Sequence, residues 1–416
     1  MSVAALESAV SRRESTSPTR VQAARTPRSI LFLALDVDLR TERGETVHTI
    51  EFAKALAKRG HHIALVTATP QAGVPALGSG VRHYVRPSRS DWKQVHSCLR
   101  IAREISANVV YERRLSPKIA FAVSRLLGIP FVVEVNGVED ETALLGRRPP
   151  PWRRATLPIR RRFYRSASAV VAVTESLSAL IQELYGLPES RVAVVPNGAD
   201  VERFVPVDAG DARKRLGWPP GNWVVFVGDL VPWQGLDALL HAFHLVRERQ
   251  TEARLAIVGD GILRSSLEHL ARQLGFDGHV LFTGAVRHED VPWYIGAASV
   301  CVAPFTRARN VRIGLSPLKL YEYLACARPV VASDVPGARD IVEDSGAGLV
   351  APADDPEGLA EALIRALADP DAAREMGQLG RRYATEFGSW AKTAERVEGV
   401  FRKILNPSLE ARGGQP

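Results

Sequence analysis

The chain has 416 residues, of which 46% are hydrophobic and 24% charged, and its formal net charge is +8 at pH 7. This apolar content is that of an ordinary globular protein and excludes a wholly disordered chain, and the length predicts two or three domains. No apolar run approaches the roughly 18 residues of a membrane-spanning helix, and three widely spaced cysteines exclude a disulfide scaffold and fit reduced thiols in a cytoplasm. The charge leaves nucleic acid, an anionic membrane surface or phosphorylated ligands open as partners.

In chain order, residues 1–28 predict a disordered basic tail, because they are rich in Arg, Ser, Thr and Pro and poor in apolar residues. Short apolar runs then alternate with segments in which apolar residues recur at helical spacing. The strands predicted for the first half are 29–36, 62–68, 108–111, 131–136, 169–174 and 191–195, and the helices are 46–58, 92–105, 118–127 and 175–185. Continuous Val, Ile and Leu strands separated by helices indicate a parallel sheet covered on both faces.

The pattern breaks at 196–221, a stretch rich in Pro, Gly and Asp, and then starts again. The strands predicted for the second half are 223–228, 255–259, 280–284, 300–303 and 330–333, and the helices are 236–247, 263–274, 318–325 and 358–367, with a final helix at 389–405 and a flexible tail at 406–416. The sequence therefore predicts an α/β protein in which two Rossmann-like doubly wound domains, 29–205 and 206–388, face a ligand-binding cleft.

Glycine-containing turns follow three of the predicted strands and precede helices. They contain Gly44, Gly228 and Gly259, and each would place free backbone N–H groups at a helix N-terminus, where a phosphate binds favourably. None reproduces a dinucleotide-binding or Walker A motif, and about half of such glycines only permit a tight turn. Glu322 is a carboxylate in an otherwise apolar helix directly before a strand, and it could accept two ribose hydroxyls or act as a capping or salt-bridged residue.

Several motifs occur in order from about Ser29 to the C-terminal region. They are Arg59-Gly60-His61, Tyr111-Glu112-Arg113, Val133-Glu134-Val135-Asn136-Gly137, Val195-Pro196-Asn197-Gly198-Ala199-Asp200, Phe226-Val227-Gly228, Ile257-Val258-Gly259-Asp260-Gly261, Phe282-Thr283-Gly284, and Ser316-Pro317-Leu318-Lys319 through Ser333. In this combination the sequence resembles the family 4 glycosyltransferases, which have the GT-B fold. The resemblance implies retaining transfer of a sugar from a nucleotide donor, bound mainly by the C-terminal domain, to an acceptor hydroxyl at the N-terminal domain.

The resemblance also implies roles for individual residues. Glu322 would hold the ribose, and Gly44 would let the first loop approach the diphosphate. Val286 and Arg287 would meet the base through backbone groups, and Asn136 stands where many members carry a histidine near the reacting sugar. The other positions assigned to donor binding are Gly228, Ser316, Lys319 and Leu320. No side-chain nucleophile is required if the acceptor attacks from the leaving-group face and the departing phosphate takes its proton.

The chain departs from the family pattern around the diphosphate. Asp229 and Gln234 occupy positions where members often carry Arg and Lys, and Gly314 replaces the first glutamate of a pair that ends at Glu322. Cationic groups are needed there because negative charge develops on the departing phosphate. The substitutes that we predict are Lys319, Arg307, Arg309 and Arg312, and a solvated loop is the alternative interpretation of the three arginines.

Other polar residues have two interpretations each. His48, near the start of the first helix, could contact the acceptor or a phosphate at the cleft mouth, or lie on the helix surface. Glu139 could orient an acceptor hydroxyl as a base, or belong to a polar loop. Asp36-Val37-Asp38 matches a D-x-D metal motif, but its place after the first strand favours loop capping or acceptor contact, and we predict no metal site. The cluster 287–290 predicts a solvated helix start.

Residues 144–167 contain eight arginines and no acidic residue, with Trp, Leu, Ile, Phe and Tyr between them. The arginines are Arg147, Arg148, Arg153, Arg154, Arg160, Arg161, Arg162 and Arg165. Such a segment can lie on an anionic membrane, bind nucleic-acid phosphates, or form a plain solvated basic helix. The resemblance favours the membrane over nucleic acid, because many members of the family extend lipid-linked glycans.

Together these features predict a cytoplasmic, metal-independent, retaining glycosyltransferase in polysaccharide or glycolipid biosynthesis, with peripheral contact to the inner face of a membrane through 147–165. Its partners would be a nucleotide sugar, as co-substrate and without a further cofactor, and a glycan or lipid-linked acceptor. One alternative is a catalytically impaired binding or scaffold protein of the same fold, for which Asp229, Gln234 and Gly314 are the evidence. The other is a nucleotide-sugar epimerase on the same fold.

Overall fold

The computed structural model describes residues 27–137, 151–276 and 278–406, and only the backbone of 151–154. The strands are β1 (Ser29–Ala34), β2 (His62–Thr67), β3 (Val81–Val85), β4 (Val109–Arg113), β5 (Phe131–Val135), β6 (Ala169–Ala172), β7 (Val192–Val194), β8 (Asn222–Val227), β9 (Ala253–Val258), β10 (Val280–Gly284), β11 (Val300–Ala303), β12 (Val330–Ser333) and β13 (Gly348–Ala351). The helices are α1 (Gly44–Lys58), α2 (Asp91–Glu104), α3 (Lys118–Leu127), α4 (Pro151–Ser166), α5 (Glu175–Tyr185), α6 (Ala209–Leu216), α7 (Leu236–Arg249), α8 (Arg264–Gln273), α9 (Val291–Gly296), α10 (Arg307–Ile313), α11 (Leu318–Ala325), α12 (Ala338–Ser345), α13 (Pro356–Ala368), α14 (Pro370–Glu386) and α15 (Trp390–Leu405).

The strands form two parallel sheets. The first has the order β3-β2-β1-β4-β5-β6-β7, and the second has the order β10-β9-β8-β11-β12-β13. In the first sheet, successive strands are added on one side up to β3 and on the other side from β4 onward, so the switch point lies between β1 and β4. In the second sheet it lies between β8 and β11. Ligands bind at the carboxyl ends of the strands beside such switch points. The prediction of two doubly wound α/β units is confirmed.

The apolar residues of the central strands explain why both faces of each sheet are covered. Leu31 and Leu33 of β1 belong to the cluster beneath α2 and α3, whereas Phe32 packs on the other face with Phe52 of α1. These side chains are fully or almost fully buried. Because successive strand residues point to opposite faces, an uninterrupted apolar strand requires helices on both sides.

Sequence patterns missed several elements, and β3 and α14 show why. The strand β3 lies at the edge of the first sheet, and its residues are partly or fully exposed, including Arg82 and His83. The helix α14 buries Gly377, Gly380 and Ala384, which are too small to form an apolar stripe. The strand β13 and the helices α6 and α12 were also not predicted.

The chain crosses between the domains twice, and the two crossings lie side by side. Ala199 forms a parallel bridge with Ser389. The hydroxyl of Thr393 also donates a hydrogen bond to the carbonyl oxygen of Pro196 at 3.0 Å. The outgoing and returning segments are therefore tied directly to each other.

The helix α15 packs on the N-terminal domain after the second crossing. Trp390 and Phe401 are buried in the same cluster as Phe52 of α1. Glu398 forms an ion pair with Arg59, which follows α1. The domain that begins with β1 is thus completed by a helix from the other end of the described chain.

Candidate functional site

A cavity of about 690 Å³ lies between the two domains. The N-terminal domain contributes the loop 41–44 and the first turn of α1. The C-terminal domain contributes the loops that follow β8, β9 and β10 and the first turns of α11. Of the predicted donor-binding residues, the structure brings five to the cavity wall: Gly44, Gly228, Val286, Lys319 and Glu322.

Glu322 lies in the second turn of α11 and is 7% exposed. Its Oε1 atom is 2.8 Å from Nε2 of His288, in the loop that follows β10. Burial acts to lower the pKa of His288, but the hydrogen bond and the charge of Glu322 raise that pKa above its ordinary value. The sequence predicted a solvated position for His288, and this prediction is wrong, because the side chain is 17% exposed and bound to Glu322.

Lys319 lies one turn before Glu322 on α11 and is buried. Its Nζ atom donates a hydrogen bond to Oε1 of Gln234 at 2.8 Å and lies 3.7 Å from the ring centre of Phe226. Burial lowers the pKa of Lys319 to about 7, although Asp229 and Glu322 act in the opposite direction. A Cβ atom at position 228 would come within 2.7 Å of Nζ, so a larger residue there would require the ammonium group to shift.

The lysine therefore reaches the residue that occupies the family's usual lysine position, Gln234. The three predicted arginines of α10 do not line the cavity. Arg307 and Arg312 are exposed, and the guanidinium of Arg309 lies 5.1 Å from the ring of Trp233. Sequence reasoning missed Arg43, a cavity-lining cation whose only signal was its position next to Gly44.

Three other predicted donor-binding residues have different surroundings. The side chain of Leu320 is completely buried in the core of the C-terminal domain and does not line the cavity. The hydroxyl oxygen of Ser316 accepts the backbone N–H of Asn197 at 2.8 Å, which ties α11 to the first interdomain crossing. The side chain of Arg287 is 70% exposed and pairs with two neighbouring acids, which leaves only its backbone for the predicted base contact.

Asn136 follows β5 and is held by a buried carboxylate that the sequence did not single out. Its Nδ2 donates to Oε1 of Glu134 at 2.6 Å, and the hydroxyl of Tyr111 donates to Oε2 at 2.6 Å. Burial acts to raise the pKa of Glu134, but His48, Arg113 and these hydrogen bonds hold that pKa below its ordinary value. A glutamate inside the apolar run of β5 was the available signal.

His48 lies inside the N-terminal domain, not at the cleft mouth. It is 4% exposed, its Nε2 is 3.2 Å from Glu134, and its ring stacks against Phe52 and meets the edge of Trp390. Burial lowers the pKa of His48 to about 4, so the ring is neutral at pH 7. The predictions that His48 lies at the cleft mouth or on the helix surface are therefore wrong, and its ring instead lies buried beside Glu134.

The predicted D-x-D residues are paired with arginines. Asp36 lies 2.8 Å from Arg114 and 3.3 Å from Arg86. Hydrogen bonds from the guanidinium and the backbone N–H of Arg40 lower the pKa of Asp38 to about 2. Within the described residues, no three His, Cys, Asp or Glu side chains cluster as a metal site would require. Glu139 lies outside the described residues.

The basic segment forms α4, and its described arginines differ in their surroundings. Arg160 is buried. Arg161 and Arg165 donate to the carbonyl oxygens of Leu184 and Tyr185 in the last turn of α5. Arg147 and Arg148, and the side chains of Arg153 and Arg154, lie outside the described part. Among the helices that the structure describes, none is both long enough and apolar enough to span a bilayer.

Comparison with protein families gives two matches, one in each domain. Residues 43–203 match the family described as Glycosyltransferase Family 4, and residues 221–369 match the family described as Glycosyl transferases group 1. Both matches include residues that line the cavity.

Whole-chain relatives agree with these matches. The D-inositol 3-phosphate glycosyltransferase of Frankia alni is 30% identical across 88% of this chain and 96% of its own length. The GDP-mannose-dependent alpha-(1-6)-phosphatidylinositol monomannoside mannosyltransferase of Mycolicibacterium smegmatis is 30% identical across 77% of this chain and 88% of its own length. The solved structure of sucrose-phosphate synthase from Thermosynechococcus elongatus has a TM-score of 0.74 at 21% identity and covers 92% of this chain and 100% of that chain, so the two-domain fold is shared. The chain belongs to the family 4 glycosyltransferases and has their GT-B fold.

Proposed function

We propose that this glycosyltransferase moves a sugar from a nucleoside diphosphate sugar to an acceptor hydroxyl, with retention of configuration at the anomeric carbon. The observation that carries the proposal is the placement of Lys319 and Glu322 on one face of α11 at the interdomain cavity. Residues three apart on a helix are neighbours, so one turn supplies both an ammonium group and a carboxylate. The carboxylate suits two ribose hydroxyls, and the ammonium group suits a diphosphate.

The proposed chemistry depends on charge at the leaving group. When the bond between the anomeric carbon and the phosphate oxygen breaks, negative charge collects on the phosphate, and Lys319 and Arg43 would stabilise it from opposite domains. The acceptor hydroxyl would form the new bond on the same face and give its proton to the departing phosphate oxygen. Asn136 would present Oδ1 to a sugar hydroxyl, since its amide nitrogen is bound to Glu134.

For the acceptor, we propose a phosphorylated inositol or a glycolipid that contains one. The names of the two relatives support this class, because they specify inositol 3-phosphate and a phosphatidylinositol mannoside. Arg86 and Arg114 also support it, because they flank Asp36 at the carboxyl edge of the first sheet and carry a net positive charge there. A bidentate guanidinium is well matched to a phosphate.

The test begins with a thermal-shift screen of GDP-mannose, UDP-glucose and UDP-N-acetylglucosamine, because a donor that binds the folded state raises the melting temperature. The stabilising donor is then incubated with inositol 3-phosphate or with phosphatidylinositol, and products are identified by mass spectrometry and anomeric NMR. We expect a glycosylated acceptor with retained configuration, formed equally well in EDTA because the proposed site uses cationic side chains. A changed sugar without acceptor would instead identify an epimerase, and no donor binding would identify a scaffold protein.

A lipid acceptor would also require contact with a membrane surface, which we propose for the exposed side of α4. Ile159 is 55% exposed there and lies near exposed Arg162. Sedimentation with phosphatidylcholine vesicles, with and without phosphatidylinositol, tests this contact. We expect binding only to the anionic vesicles and weaker binding after Arg162→Gln, and no sedimentation at low salt would contradict the contact.

A further inference from the structure

A chain of polar side chains connects Glu322, whose carboxylate is proposed to bind the ribose, to the N-terminal domain. Glu322 on α11 contacts Nε2 of His288 at 2.8 Å, and Nδ1 of His288 lies 3.2 Å from Nη1 of Arg203. Arg203 belongs to the segment between the domains, and its Nη2 lies 3.4 Å from Oε1 of Glu51 on α1. The connection therefore passes from the C-terminal domain through the interdomain segment to the N-terminal domain.

The direction of these hydrogen bonds follows from the chemistry of the groups. A guanidinium can only donate, so Nδ1 of His288 must be the acceptor toward Arg203. A neutral imidazole with a free Nδ1 carries its hydrogen on Nε2, and that hydrogen points at the carboxylate of Glu322. Arg203 thus selects the tautomer of His288 that can donate to Glu322.

The imidazole is held on other sides as well. Its ring centre lies 5.2 Å from that of Phe204. The backbone N–H of His288 donates to Oε2 of Glu42 at 3.1 Å, and Glu42 belongs to the loop of the N-terminal domain that lines the cavity. His288 is therefore fixed by residues from both domains and the segment between them.

From this arrangement we propose that His288 is a positioning residue for the donor ribose, oriented by Arg203. A carboxylate that must accept two hydroxyls has to keep a single orientation, and the hydrogen bond from His288 holds one oxygen of Glu322 in place. The inference rests on the proposed function, since it assigns a partner to the residue that would bind the ribose. It also makes ribose binding dependent on contacts between the domains.

The experiment separates an effect on the ribose hydroxyls from a general loss of structure. Titration calorimetry at pH 8 measures the affinity of the full chain for GDP and UDP and for their 2′,3′-dideoxy forms. We expect His288→Phe, which keeps a ring beside Phe204, to weaken binding of the ribonucleotide about tenfold. The dideoxy form should change less than twofold, because it has no hydroxyl for Glu322 to accept.

Two more variants and a control complete the design. His288→Gln can both donate to Glu322 and accept from Arg203, so ribonucleotide affinity should return to within about threefold of the unaltered protein. Arg203→Met should lower the preference for the ribonucleotide, whereas Glu202→Gln should not, because Glu202 is 79% exposed and pairs with Lys58 on the surface. Equal losses for both nucleotide forms, or no loss in His288→Phe, would overturn the positioning role while leaving the proposed function intact. No nucleotide binding by the unaltered protein would overturn both.

Discussion

The ammonium group of Lys319 lies between Phe226 and Gln234, where the donor diphosphate is proposed to bind. Burial makes the charged form unfavourable, which is why the pKa of Lys319 falls to about 7. A bound diphosphate would supply the missing negative charge and favour protonation. Donor affinity should therefore depend on pH.

We expect the affinity for GDP to fall about tenfold between pH 7 and pH 8.5. The sign follows because Lys319 is protonated below its pKa of about 7 and must take up a proton when GDP binds at higher pH. Lys319→Met should bind weakly at pH 7 and show almost no pH dependence, whereas Lys54→Met, which removes a lysine outside the cavity, should behave like the unaltered protein. Titration calorimetry across this pH range measures the GDP affinity of each variant. If the affinity of Lys319→Met fell with pH as steeply as that of the unaltered protein, Lys319 would not be the group that takes up the proton.

At the scale of elements, the turn between α10 and α11 explains the loss of the family's first glutamate. Gly314 has a φ angle of +65° and a ψ angle of 176°, a region that is essentially restricted to glycine. A side chain there would meet Thr174 of the N-terminal domain at 3.1 Å. The hydroxyl of Thr174 also donates to the carbonyl oxygen of Ile313 at 2.6 Å. The position thus serves close packing between the domains.

Gly314→Ala should lower the free energy of unfolding by about 2–3 kcal/mol, because it adds backbone strain and a clash with Thr174. Gly217→Ala is the matched control, since Gly217 has a φ angle of +68° but no atom within 4 Å of an added Cβ. The control should lose only about 1 kcal/mol. Urea unfolding measures both variants, and equal losses would show that the contact with Thr174 is unimportant.

Particular residues show how far the sequence could lead. The apolar strands were predictable because parallel sheets bury both faces, and Glu322 was predictable because it interrupts an apolar helix. The partners of His288 and Glu134 were not predictable, because Glu322 lies 34 residues from His288 and Tyr111 lies 23 residues from Glu134. Contacts between distant segments leave no local pattern. For the same reason the sequence could not show which of the four predicted diphosphate-binding cations, three arginines and Lys319, would reach the cavity. Of these four, only Lys319 lines it.

At the scale of the whole molecule, stability of the N-terminal domain should depend on α15. Trp390 is 4% exposed and packs against His48 and the cluster around Phe52. Trp390→Ala should therefore lower the free energy of unfolding by about 3–5 kcal/mol. Trp92→Ala, which removes a tryptophan that is 75% exposed, should cost less than about 1 kcal/mol.

Scanning calorimetry with and without GDP can assign this loss to a domain. The nucleotide should raise the transition of the C-terminal domain, which supplies most of the cavity wall. We expect Trp390→Ala to lower the transition that GDP does not raise. A loss confined to the transition that GDP raises would contradict the assignment of α15 to the N-terminal domain.

The return of α15 to the first domain also orders events during protein synthesis. The ribosome delivers β1 early and α15 only after the whole C-terminal domain has been made. Until then, the surface that Trp390 and Phe401 cover remains open beside Phe52. Domains usually mature in the order in which they are translated. Here the second domain can finish first, and the nascent N-terminal domain must keep an apolar surface from aggregating until its last helix arrives.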